Sequence, residues 1–81
     1  MAFVYMLRGQ GGRHYLGATE DLDARLRRHN SGMVHSTQRL GLPLELVASR
    51  QFETMKDALA AERMLKGWKN PEKTQQFLLG G

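Results

Sequence analysis

An 81-residue chain without a single cysteine has one route to a stable fold: nearly all of its apolar residues must enter one core. No disulfide can supplement that packing. The length fits one domain, residues 1–81, and is too short for two. The missing cysteines also exclude zinc ribbons, iron–sulfur clusters, thiol nucleophiles and redox chemistry. No apolar run approaches the ~20 residues of a membrane-spanning helix. The apolar opening, Ala2 to Leu7, is short and lacks the basic leader and small-residue cleavage site of a secretory signal. A cytoplasmic protein with no membrane partner is the expectation.

Twelve Lys and Arg against eight Asp and Glu give a net charge of +4. A basic balance of this size leans toward nucleic acid. The excess is concentrated in the first forty residues, whose six basic residues are all arginines.

Phe3-Val4-Tyr5-Met6-Leu7 is a continuous apolar run of strand length, suited to a strand covered on both faces. A glycine-rich loop follows, then a second short strand at His14–Ala18, so the two should form a hairpin. Thr19 reads as a helix N-cap, with acids in the first turn and Arg27, Arg28 and His29 near the end. Asn30-Ser31-Gly32 is a stop signal. Residues 33–43 read as a loop and Leu44–Phe52 as a third strand. Thr54 and Asp57 make a capping box for a helix that runs to about Trp68. Asn70-Pro71 opens a last short helix carrying Thr74, Phe77 and Leu78 on one side. The order is ββαβαα, a small layered α/β fold.

The polar residues that fall inside apolar stripes are the informative ones. At 100° per residue, Leu22 and Leu26 mark the buried side of the first helix. Arg25 and His29 fall in that stripe, whereas Arg27 and Arg28 point away from it. In the second helix Met55, Ala58, Leu59 and Leu65 form the apolar face, with Glu62 in its middle and Lys66 near its margin. A carboxylate so placed must be neutralised, paired or bound to a cation. An ion pair with Arg25 and a metal-binding role both satisfy that requirement. The only two tyrosines, Tyr5 and Tyr15, lie on the two hairpin strands, either as ordinary strand packing or as two phenols in a common pocket.

Other features point to less. Gly9, Gly11 and Gly12 lack the Gly-Lys-Ser/Thr of a nucleotide-binding loop. His29 and His35 without cysteines do not make a zinc site, and Ser36 and Thr37 beside His35 read as surface loop. Trp68 reads as a core anchor rather than a base-stacking platform.

Phe3-Val4-Tyr5, nine residues, then Tyr15-Leu16-Gly17 resembles the paired signature of the GIY-YIG nuclease domain. The resemblance continues through Asp21-Leu22-x-x-Arg25-x-x-x-His29-Asn30-x-Gly32 and Ala58-x-x-x-Glu62-x-x-x-Lys66-x-Trp68. It covers nearly the whole chain and is nearest to the small single-domain, excinuclease-subunit-C-like bacterial members. Two departures stand out. The first tripeptide is not Gly-Ile-Tyr, and Ala18 stands where some nucleases carry lysine.

The resemblance implies a three-stranded antiparallel sheet flanked by helices, an α+β arrangement that agrees with the element order above. It implies metal-dependent hydrolysis of phosphodiester bonds in DNA, with Mg²⁺ or Mn²⁺ as cofactor and a place in DNA repair or recombination. Matched position by position, Tyr5 and Tyr15 are the signature tyrosines and Arg25 binds phosphate. His29 stands near the nucleophile, and Glu62 holds the metal. Gly17, Arg27, Arg28, His35 and Lys66 are expected to contact substrate. The other surface arginines are Arg8, Arg13 and Arg39. Arginines of this kind grip phosphates without reading bases, so selectivity would rest on a branched or flapped DNA, or on a targeting partner protein. The alternative is a non-catalytic nucleic-acid-binding module with the same fold.

Overall fold

The computed structural model describes residues 1–31 and 40–80. Most of the segment expected to be a loop after the first helix, with His35, Ser36, Thr37 and Arg39, lies outside the described residues. The elements follow the expected order: β1 (Ala2–Arg8), β2 (His14–Thr19), α1 (Leu22–Asn30), β3 (Glu45–Phe52), α2 (Met55–Trp68) and α3 (Pro71–Leu78). The three strands make one antiparallel sheet in the order β2-β1-β3.

The unbroken apolar run of β1 is explained by its central place. Its alternating side chains enter two different cores. Ala2, Val4 and Met6 join Ala58, Ala61, Leu65 and Leu78 beneath α2 and α3. Tyr5 and Leu7 join Leu44 on the other face, against Leu22 and Leu26 of α1. A bulge in β3 between the partners of Met6 and Leu7 keeps both faces in register.

The caps depart from expectation at one place. Asp21, not Thr19, caps α1, its carboxylate accepting from the Ala24 N–H. Thr19 is still in the ladder, paired with Phe3, so its backbone cannot turn into the helix there. Its hydroxyl instead accepts from the Asp21 N–H. Thr54 and Asn70 cap α2 and α3 as expected. At the far end of α1 the Asn30 amide clamps Leu44. Oδ1 accepts from its N–H at 2.6 Å and Nδ2 donates to its carbonyl at 3.3 Å.

Two packing expectations are corrected. Leu59 is exposed, because the buried stripe of α2 runs through Ala58, Ala61 and Leu65 instead. Trp68 is 41 % exposed, since it lies at the last residue of α2 and meets only the edge of Phe77. The core therefore rests on Leu65 rather than on the indole. Leu65→Ala should destabilise the fold by about 2–5 kcal/mol, the usual cost of a buried leucine, read from urea unfolding midpoints.

Candidate active site

Tyr5 and Gly17 are directly paired across β1 and β2, and Tyr15 lies one ladder step on, opposite Leu7. The period of two puts all three on the face covered by α1. His29 arrives there from the last turn of α1. Tyr5 and His29 are each 1 % exposed, and the Tyr5 hydroxyl lies 2.9 Å from His29 Nε2. The ring of Tyr15 closes the group, 6.3 Å from Tyr5 and 5.1 Å from His29 between centroids. The two tyrosines lie side by side on this face, packed with Leu7 and Leu44.

Gly17 makes this arrangement possible. A Cβ there would stand 2.6 Å from the Tyr5 hydroxyl and 3.0 Å from a ring carbon of Tyr15. The phenol occupies the space a side chain would take.

The electrostatics fix the protonation states. Burial raises the Tyr5 phenol far above its ordinary range. The nearby Tyr15 and the Glu62 carboxylate push the same way, and Arg25 opposes them. Burial lowers His29 below 6.5, and the Arg25 and Arg28 charges lower it further. At neutral pH both groups are uncharged. The 2.9 Å contact therefore joins a neutral phenol to a neutral imidazole.

Arg25 is itself exposed, at the edge of the stripe rather than within it, yet its charge bears on both Tyr5 and His29. Glu62 is nearly buried, with 16 % of its side chain exposed. Its ion-pair partner is Lys66, one helical turn on, at 2.8 Å, so the expected pairing with Arg25 is corrected. Both residues project from the same face of α2, and an i,i+4 spacing joins them without tertiary help. Arg27 and Arg28 are exposed on the outer side of α1. His35 lies outside the described residues.

The sequence pattern did not reveal the link between Tyr5 and His29. Periodicity flags each as inward-facing but says nothing about which inward groups meet. Among the described residues there is no group of three or more His, Cys, Asp or Glu able to hold a metal. A lone carboxylate does not fit zinc. It does fit a hard divalent cation that keeps most of its waters. The ammonium 2.8 Å from Oε1 already shows that positive charge is favoured at this carboxylate.

Two outcomes follow from this geometry. Gly17→Ala should displace the Tyr5 phenol, costing about 1–3 kcal/mol as overpacking does, with the His29 ring resonances shifted in NMR spectra. Because the folded state holds His29 neutral, the unfolded state binds the extra proton as pH drops. Stability contributed by His29 is therefore complete above about 6.5 and declines as the pH falls below it. Thermal unfolding across that range should show the decline, and His29→Gln should flatten it.

Comparison with known proteins places this arrangement. The GIY-YIG catalytic domain profile matches residues 1–76. A UPF0213 protein of Streptococcus pneumoniae is 38 % identical over 77 residues, covering 95 % of this chain and 77 % of the relative. A UPF0213 protein of Staphylococcus aureus is 31 % identical over 71 residues, covering 88 % and 87 %. The solution NMR structure of a UPF0213 protein from Bacillus halodurans superposes with a TM-score of 0.55 at 32 % identity. It covers 95 % of this chain and 82 % of that one. With the domain matched over residues 1–76, the chain belongs to the GIY-YIG family.

Proposed function

We propose that this protein is a divalent-metal-dependent endonuclease that hydrolyses phosphodiester bonds in DNA. The observation that carries the reading is the buried Tyr5–His29 hydrogen bond, with Tyr15 beside it and the opposite charges of Arg25 and Glu62 both acting on the phenol. A structural core has little use for a neutral imidazole, two phenols and two opposite charges at one point. A hydrolase needs each of them.

Tyr15 is the half-buried phenol, so it is the one that meets the attacking water. The proton leaves that water for the Tyr15 oxygen, Tyr15 passes its own to Tyr5, and Tyr5 passes its own to His29 Nε2. The ring of Tyr15 beside Tyr5 supports the second of these transfers, and the 2.9 Å contact supports the third. Neutral His29 is the terminal acceptor, which spares either phenol a long-lived charge. The hydroxide forms a bond to phosphorus as the bond to the 3′-oxygen breaks. Arg25, exposed and charged, binds a non-bridging oxygen, where its planar donors suit the accumulating charge. Glu62 would hold the Mg²⁺ or Mn²⁺ ion, which supplies Lewis-acid stabilisation of the phosphate and the leaving oxygen.

Exposed arginines on α1 and at the hairpin give phosphate contacts without base readout. The substrate is therefore recognised by shape, such as a flap or branch arising in repair or recombination, or through a targeting partner. Cleavage of labelled linear, flapped and branched DNA tests the proposal. Metal-dependent nicking is expected, and it should be lost in Glu62→Ala. Arg25→Ala should slow the reaction by about 10²–10³, as removal of other oxyanion-type donors does. The rate should climb with pH along an acid limb with its midpoint below 6.5, the direction in which His29 is shifted. Equal, metal-independent behaviour of wild type and Glu62→Ala would leave a binding module instead.

A further inference from the structure

The junction of α2 and α3 carries two residues placed against the ordinary preferences of a helix end. Lys69, just past α2, adopts the left-handed conformation at φ 51°, ψ 37°. Glycine is the usual residue there, because a Cβ is strained in that region. Gly67, by contrast, sits inside the last turn of α2, where glycine weakens a helix. A Cβ at Gly67 would meet nothing within 4 Å, so nothing among the described residues requires its absence. Exchanging the two residue types would suit the helix better. The present order leaves bare backbone at 67 and puts an ammonium at 69.

Lys69 borders concave surface. A cavity of about 240 Å³ has Met6, Leu16 and Leu65 at its floor and His14, Lys66 and Lys69 around it. A second, of about 320 Å³, lies between Trp68, Asn70 and Lys73. Asn70 lines both, so the two are neighbours at the junction. The indole of Trp68 stands edge-on to Phe77, which holds the ring while leaving it half-exposed. Three lysines beside a fixed, solvent-facing aromatic ring suit phosphates and an unpaired base together. Duplex DNA offers the phosphates but keeps its bases stacked away.

We infer that the α2–α3 junction binds a single-stranded nucleic-acid segment. Lys66, Lys69 and Lys73 hold its phosphates, Gly67 lets the strand approach the helix, and a base stacks on Trp68. The inference rests on the nucleic-acid reading above and narrows the substrate to one with an unpaired arm. Lys66 ties the two sites together, since it also pairs with Glu62.

Trp68 is the only tryptophan, so its emission reports the stacking directly. The experiment is titration with a short oligothymidylate in EDTA, where cleavage plays no part, against a duplex of the same length. Saturable quenching by the single strand and little by the duplex is expected. Three phosphate contacts predict a slope of about −2 in the logarithm of affinity against that of salt. Lys69→Gly and Gly67→Ala should each unfold at the same or a higher temperature and yet bind the oligonucleotide several-fold more weakly. Lys69→Gly should also flatten the salt slope by about 0.7. Unchanged emission, equal quenching by duplex, or undiminished binding by Lys69→Gly would overturn the inference. Quenching without metal-dependent cleavage would keep it and remove the nuclease reading, whereas cleavage without quenching would do the reverse.

Discussion

The Tyr5 phenol occupies space that exists only because residue 17 has no side chain. That steric allowance governs much else. It lets the hydroxyl reach His29, which holds the end of α1 against the sheet. It brings Tyr15 alongside and leaves the phenol under the influence of both Arg25 and Glu62. A buried polar pair is stable only when each member satisfies the other, and here a phenol and a neutral imidazole do so without leaving a charge buried. The same contact thus serves packing and chemistry. A family signature that joins tyrosines to a glycine is, in physical terms, a description of this fit.

Much of the fold was legible because its signals were local. The apolar run of β1 could only be a strand buried on both faces, and it is the central one. Thr54 and Asn70 announced their helices through side chains that accept backbone hydrogen bonds three residues on. The exception at α1 is instructive. Thr19 has the chemistry of a cap, but the ladder holds it two residues too early, and Asp21 takes the role. Local preference proposed Thr19, and strand pairing moved the cap to Asp21.

The site was legible in its members and not in its pairings. Helical angles flagged His29 and Glu62 as polar groups turned inward, and both are, while Arg25 stops at the edge of the same stripe. Which groups meet depends on how the helices sit over the sheet. Glu62 pairs with Lys66 on its own helix, not with Arg25 across the fold. Trp68 failed for a related reason. Residue type suggested burial, but the last residue of a helix has too few neighbours around it to cover an indole.

The sheet order has a kinetic consequence. β1 bonds to a strand on each side, while β2 has one bonded neighbour and an open flank. Backbone amides of a central strand exchange with solvent only in large-scale opening, whereas an edge strand can fray while the rest persists. Tyr5 is therefore carried on the slowest-opening segment of the molecule and Tyr15 on a faster one. Tyr5 stays fixed over times when Tyr15 beside it can breathe, without dismantling the fold.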